Sequence, residues 1–264
     1  MIKSSKYVKK IRSTSVYDVA HKSPITKAEG LSLQYGNNIL LKREDMQPVF
    51  SFKLRGAYNK LSKLNKNGKN KSVIAASAGN HAQGVAFASL KLGLKATIVM
   101  PVTTPSIKID SVKRFGAKII LNGDNFDEAF KFAKEMSKKK KATFIHPYDD
   151  PDVIAGQGTI GMEIIEALDE DIDAIFVPVG GGGLLAGVGA YIKSINPKIK
   201  IYGVEPEDAA CLDAAVKANK RVSLKEVGLF ADGVAVKQIG KTTYSLIEEW
   251  IDGVVTVSVD EICS

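Results

Sequence analysis

Apolar and polar positions along the chain follow two alternating rhythms. Short, nearly continuous apolar runs rich in Val and Ile occur at 38–43, 72–77, 96–100, 118–121, 143–145, 174–179, 200–204 and 254–259, and they predict β-strands. Between most of them lie segments of helical period at 53–65, 80–91, 106–115, 126–138, 154–168, 184–195 and 208–218, which predict helices. Such alternation implies right-handed crossovers and a mainly parallel, doubly wound sheet, hence an α/β fold. Because the strands are continuously apolar, both sheet faces are expected to be covered. No internal repeat or low-complexity segment interrupts the order. In open parallel sheets, ligands sit beyond the carboxyl ends of the strands. The loops there are the place to look for chemistry.

Three loops stand out. The first, Ser51-Phe52-Lys53-Leu54-Arg55-Gly56, opens a helix. Its lysine is either an ordinary surface residue, the usual fate of lysine, or a desolvated amine of lowered pKa that can form a Schiff base. The second, Ser77-Ala78-Gly79-Asn80-His81, leads from a strand into a helix. Its small residues let the backbone approach a ligand, and the helix start offers unpaired N–H groups to an anion such as a carboxylate. The plainer reading is a tight turn with Asn80 as the helix cap and His81 as a structural residue. Both readings can hold at once. The third is Gly180-Gly181-Gly182-Gly183-Leu184, again between strand and helix. Four glycines cost more backbone entropy than one tight turn explains, so bare N–H groups facing a phosphate are expected.

The third loop carries a competing signal. Gly181, Gly183 and Ala186 fit the G-x-G-x-x-A dinucleotide fingerprint, and Glu205 ends the next strand where a ribose-binding acid would stand. An NAD enzyme competes on this loop alone, but it leaves the Lys53 and Asn80 loops without a use.

Composition narrows the class. The 264 residues can bury one large core or two smaller ones, and 25% charged with 45% hydrophobic residues is ordinary for a soluble globular protein. No apolar run approaches the ~20 residues of a membrane span, and the basic opening residues 1–6 lead into no apolar stretch, so no membrane partner and no secretory signal is expected. Cys211 and Cys263 have neither metal nor disulfide spacing, which points to no metal site and a reduced, cytoplasmic setting. The net charge of +8, from 37 Lys and Arg against 29 Asp and Glu, raises nucleic acid as a partner. The lysines are dispersed, however, and the densest run, at 138–141, ends a predicted helix where the dipole favours cations. No nucleic-acid partner is expected; the charge would help to attract anionic ligands.

Taken together, the loops resemble the β-family (fold type II, tryptophan synthase β-like) pyridoxal 5'-phosphate (PLP) enzymes, and within that family the biosynthetic threonine dehydratases. The resemblance rests on Lys42-Arg43-Glu44-Asp45-Met46-Gln47-Pro48-Val49-Phe50 with the Lys53 loop, and on Ala76-Ser77-Ala78-Gly79-Asn80-His81-Ala82-Gln83-Gly84. It extends through Val153-Ile154-Ala155-Gly156-Gln157-Gly158-Thr159, Val177-Pro178-Val179 with the four glycines, and Phe230-Ala231-Asp232-Gly233-Val234-Ala235-Val236-Lys237, so that it covers nearly the whole chain. It implies two doubly wound subdomains, a large one of 1–68 plus 149–264 and a small one of 69–148. It further implies that Lys53 carries PLP in Schiff-base linkage, that Phe52 packs against its ring and that Asn80 bonds the ring hydroxyl. Gly180, Gly181, Gly182, Gly183 and Leu184 are implied to cradle the phosphate, and Ser77, Ala78, Gly79, Asn80 and His81 to hold the substrate carboxylate.

The implied reaction is the elimination and deamination of L-threonine to 2-oxobutanoate and ammonia, the first step of isoleucine biosynthesis, with Lys53 as the base at Cα. L-serine is implied to be a poorer substrate, since the pocket loses only a methyl contact. Serine racemases carry a serine where Ala78 stands; alanine cannot protonate that face, which favours elimination over racemisation. The family also forms homo-oligomers through its large subdomain. The chain departs from the family at Asp260-Glu261-Ile262-Cys263-Ser264, where members continue through a serine at the pyridine nitrogen and then into a regulatory domain that senses isoleucine. On that ground an exposed sheet face and a loss of feedback inhibition are expected, and an inactive PLP-binding remnant is the alternative to an active enzyme.

Overall fold

Strands and helices alternate along the chain in the computed structural model, which describes residues 5–66, 68, 71–168 and 171–264. In order they are α1 (Ser5–Arg12), β1 (Ile25–Lys27), α2 (Glu29–Tyr35), β2 (Leu40–Lys42), α3 (Lys53–Lys66), β3 (Ser72–Ala76), α4 (Asn80–Leu92), β4 (Lys95–Met100), α5 (Ser106–Lys113) and β5 (Lys118–Leu121). There follow α6 (Phe126–Lys139), β6 (Thr143–Phe144), α7 (Pro151–Ala167), β7 (Ala174–Pro178), α8 (Gly183–Ile195), β8 (Lys200–Pro206), α9 (Cys211–Ala218), α10 (Lys241–Ile247), β9 (Gly253–Val257) and α11 (Val259–Cys263). The opening residues 1–4, and residue 69 where the sequence divides the two implied subdomains, lie outside the described ones.

Two parallel sheets organise the chain. The first has the order β5-β4-β3-β6 and the second β7-β8-β9. In the first, the period-two alternation of a strand sends Val73 and Ala75 to a core with Ala57, Leu61 and Val85 of α3 and α4, and Ile74 and Ala76 to a second core with Ala129 and Ala133 of α6. Both faces are covered, as continuous apolar strands require. Each fully buried aliphatic side chain in such a core contributes about 1.5–3 kcal/mol.

The spine between the sheets is α7. Asp150 caps it by accepting from the amides of Asp152 (2.8 Å) and Val153 (3.3 Å), and Pro151 occupies the first turn, where its missing N–H costs nothing. Glycines on opposite sides of α7 let its neighbours come close. A Cβ on Gly156 would lie 2.6 Å from Gly56 Cα of α3, and one on Gly161 would lie 2.9 Å from Val188 O of α8. Single-carbon changes here would push α3 and α8 away from α7.

The three-stranded sheet has one open face, against the covering that continuous apolar strands predict and in line with the exposed sheet face that the resemblance implied. Its inner face, with Val177 and Ile201, joins the core of α8, α1 and α10. On its other face Phe176 is 61% and Val255 40% exposed, and Phe176 stacks on Tyr202 with centroids 5.2 Å apart. The expected strand at 38–43 also differs: β2 pairs antiparallel with β1 over three residues, with α2 between them in the chain, as a two-stranded sheet separate from both main sheets. The helices α1, α2, α10 and α11 and strand β1 are additions to the predicted set. The lysines at 138–141 are exposed at the end of α6, as a solvated helix terminus should be. Among the described residues no helix is long and apolar enough to cross a membrane.

Candidate functional site

Lys53 is the first residue of α3, and the chain around it is held from three sides. Phe50, just before it, adopts a left-handed conformation (φ 56°), costly for a non-glycine residue by about 1–2 kcal/mol. The anchoring of Arg55 sustains that cost. This arginine is completely buried; its guanidinium binds both oxygens of Glu44 (2.8 and 2.8 Å) and both of Glu163 (2.5 and 3.1 Å), with Thr159 Oγ1 at 3.0 Å and His21 O at 3.1 Å. Lys42 completes the set at 2.7 Å from Glu163, so two cations meet two anions. The Gly56 amide donates to Gln157 Oε1 (3.1 Å), and Gly84 of α4 packs so closely that a Cβ there would lie 3.0 Å from the Lys53 carbonyl carbon.

The amine of Lys53 lies 4.9 Å from the centroid of the Phe52 ring. Burial alone lowers its pKa to about 8, which leaves roughly a tenth of the amines as free base at pH 7. The balanced charges of the Arg55 network pin the helix without setting the state of the amine.

The second loop follows β3. Ser77 donates its amide to Val99 O (3.1 Å), and its hydroxyl accepts from Gly79 N (3.2 Å), which turns the chain into α4. The helix cap is Gly79, without a side-chain cap bond, and not Asn80 as the sequence allowed. Asn80 is already helical, so its side chain no longer reaches back over the amides of the first turn. It stands exposed at that end instead. His81 is buried with Nε2 3.1 Å from Ile145 O; a carbonyl only accepts, so Nε2 carries the hydrogen. Burial, and then the charge of Lys53, push its pKa down to about 3. The histidine is thus a neutral structural residue that also lies within the field of Lys53.

The third loop follows β7. Its carbonyls are engaged: Gly180 O accepts from Cys211 Sγ (3.4 Å), Gly181 O from Thr243 Oγ1 (2.8 Å) and Gly240 N (3.2 Å), and Gly182 O from Ala186 N (2.8 Å). Its amides are not. Among the described residues no protein acceptor takes the N–H groups of Gly181, Gly182 or Gly183, although all three residues are buried. Gly182 needs its missing Cβ, with φ at +87°, and Gly181 needs it because a Cβ would fall 2.2 Å from the Tyr148 ring.

The charges of Lys53 and His146 both depress the His81 pKa. His146 and Tyr148 form a wall beside the third loop: His146 Nδ1 accepts the amides of Tyr148 (3.3 Å) and Asp149 (2.9 Å), and Tyr148 lies over Gly181. Behind this wall is a cavity of about 640 Å³ bordered by Phe126, Phe130, His146, Tyr148, Ala235 and Val236, among others.

Sequence reading missed the Arg55 network, Tyr148, Asp149 and Thr243. The one local signal was an arginine within the apolar face of α3 formed by Leu54, Ala57 and Leu61. The dinucleotide reading fails at Glu205, which is fully buried and accepts the amides of Leu212 (2.9 and 3.1 Å) and Asp213 (2.9 Å). A carboxylate committed to the start of α9 is not free to bind a ribose.

The family described as pyridoxal-phosphate dependent enzyme has a sequence profile that matches residues 16–264. The chain belongs to this family. A relative from Solanum lycopersicum named threonine dehydratase 1 biosynthetic, chloroplastic, is 58% identical over 258 residues, 98% of this chain and 43% of the relative. Among solved structures, the processed form of threonine deaminase isoform 2 from Solanum lycopersicum superposes with a TM-score of 0.93 at 52% identity, over 97% of this chain and 74% of that one. Maize serine racemase gives 0.90 at 31% identity, over 96% and 76%. The chain spans about half the length of the curated relatives it matches. The residues present suit the family's cofactor: a desolvated amine, a buried Ser51 hydroxyl without a protein partner two residues before it, and a turn of buried, unpaired amides suited to a phosphate.

Proposed function

We propose that this chain carries out the PLP-dependent deamination of L-threonine to 2-oxobutanoate and ammonia, the entry step of isoleucine biosynthesis. The observation that carries the reading is the Lys53 amine, lowered to about 8 by burial, in a chain 52% identical to a solved threonine deaminase. In this reading Lys53 holds the cofactor, Phe52 packs beside its ring, Asn80 bonds the ring hydroxyl, and Gly180, Gly181, Gly182, Gly183 and Leu184 receive the phosphate. The two sheets form the small unit (69–148) and the large unit (1–68 with 149–264), with the cofactor at their junction.

When bound, PLP supplies an aldehyde for amines and a sink for electrons. The protein's own part is acid–base chemistry and positioning. The free Lys53 amine would be uncharged often enough near neutral pH to accept the Cα proton, and the neighbouring Phe52 ring keeps water from its side. The substrate carboxylate meets the amides and the positive dipole end at the start of α4, where Ser77, Ala78, Gly79, Asn80 and His81 form the turn. His81 stays neutral and its one ring hydrogen is committed to Ile145 O, so it supports the turn and adds no charge to it. The Ala78 methyl offers no proton to the opposite face, which supports elimination over the racemisation named for the maize structure.

The test is to load the chain with PLP and follow its visible absorbance and the release of 2-oxobutanoate from threonine, beside Lys53→Ala. A band and keto-acid release, both abolished by the substitution, are expected, with serine turned over more slowly. A band without threonine-dependent release would reduce the chain to a PLP-binding module. No band at all would end the reading.

A further inference from the structure

The tetraglycine turn orients its amides through bonds made by its carbonyls. In a planar trans peptide the carbonyl oxygen and the following N–H point to opposite sides. Whatever binds Gly181 O therefore also decides where Gly182 N–H points. Here Thr243 Oγ1 binds it at 2.8 Å, from a completely buried side chain, with Gly240 N as a second donor at 3.2 Å. The preceding peptide is held in the same way but more weakly, since Gly180 O accepts from the Cys211 thiol at 3.4 Å.

Thr243 is itself located from a distance. Asp149 accepts the amides of Lys241 (2.9 Å), Thr242 (2.7 Å) and Thr243 (3.2 Å), so the start of α10 is fastened to the residue next to Tyr148, whose ring covers Gly181. Thr243 also fits the turn closely: a Cβ on Gly182 would lie 3.0 Å from its hydroxyl oxygen, and one on Gly240 2.6 Å. A buried hydroxyl aimed at a backbone carbonyl of the glycine turn, on a helix capped from another part of the chain, has a cost that one hydrogen bond to a loop does not need. Orientation of the turn gives it a use.

We propose that Thr243 is a positioning residue for the cofactor phosphate: it fixes the peptide between Gly181 and Gly182 so that the Gly182 amide is offered to the phosphate, and Cys211 does the same, less firmly, for the Gly181 amide. This rests on the cradle reading above and adds the residues that aim it. Neither side chain touches the ligand.

The test compares PLP with pyridoxal, which lacks the phosphate, by equilibrium dialysis against the parent chain, Thr243→Val, Thr243→Ser and Cys211→Ala. The parent should prefer PLP. Thr243→Val, which keeps shape and loses the donor, should weaken PLP by about tenfold and leave pyridoxal unchanged, while Thr243→Ser restores the preference. Cys211→Ala, which leaves α10 untouched, should lower the same ratio by about twofold, so the question is still decided if Thr243→Val fails to fold. The proposal is overturned if the PLP-to-pyridoxal ratio is unchanged in folded Thr243→Val, or in Cys211→Ala should that variant be the one available. It is equally overturned if Thr243→Ser loses the ratio while its circular dichroism matches the parent. A parent that binds both compounds equally would refute the phosphate cradle itself, and the clamp with it.

Discussion

On the proposed reading the Lys53 turn and the tetraglycine turn face one site, yet they are built from opposite materials. The first is anchored by charge: Arg55, Lys42, Glu44 and Glu163 form a buried, balanced set two residues from the amine. The second has no charged group on its carbonyls and relies on a hydroxyl, a thiol and two backbone amides. The difference reflects the group each turn must present. A nucleophilic amine needs a rigid base and no unbalanced anion nearby, because a neighbouring anion would raise its pKa. An anion cradle needs many aligned N–H groups and close access, which side chains would block. Charge fixes the amine's support; glycine and its carbonyl partners fix the cradle.

The sharpest way to break this contrast is Arg55→Met. It leaves buried Glu163 paired with Lys42 alone and half-buried Glu44 without its arginine, and loss of one partner from a buried ionic set costs about 3–5 kcal/mol. The urea midpoint should fall accordingly; an unchanged midpoint would mean that the network supports nothing.

On the other turn, Gly181→Ala sets a methyl group 2.2 Å from the Tyr148 ring. It should cost about 1–3 kcal/mol in urea unfolding and abolish measurable PLP binding in the absorbance titration. Retained affinity would show that Tyr148 moves freely and that the turn is not tightly defined.

A third test reads the amine through pH. A lysine at about 8 in the folded chain against its ordinary 10.5 is less protonated when folded than when unfolded, so the unfolded chain binds more protons across that interval. Stability of the cofactor-free parent should therefore rise relative to Lys53→Met between about pH 8 and 10.5, with the variant the more stable of the two below pH 8. Parallel melting curves for the two would mean that the amine is not desolvated.

The smallest effect belongs to the segment that crosses the glycine turn, where exposed Asp232 and Lys237 pair with Lys108 and Asp127 of the four-stranded unit. Lys108→Ala should leave thermal unfolding within error of the parent at any salt concentration, since exposed pairs contribute little. A clear loss would promote that segment from a cover to an anchor.

How much of this was legible in the sequence depends on the reach of each interaction. Local rules located the helices and strands of the two sheets, because period and apolar content act within a few residues. They also drew attention to Lys53, Asn80 and the four glycines, whose conformational demands are local. They missed α10, whose cap, Asp149, lies about ninety residues earlier in the chain. They missed the role of Arg55, whose partner Glu163 is 108 positions away. They allowed Asn80 as a cap, where the helix already begins at that residue. From the apolar strands they expected two covered faces, whereas Phe176 and Val255 remain open on the three-stranded sheet, as the resemblance had implied for a sheet face. Short-range chemistry is written in the sequence, and long-range closure becomes visible only once the fold brings its partners together.

The central claim is that the Lys53 amine is the cofactor's covalent anchor. Borohydride reduction of the PLP-loaded chain, followed by proteolysis and mass spectrometry, addresses it directly. The account predicts a single pyridoxyl group on the peptide that contains Lys53, absent from Lys53→Ala. A modification on any other lysine, or spread over many, would contradict it.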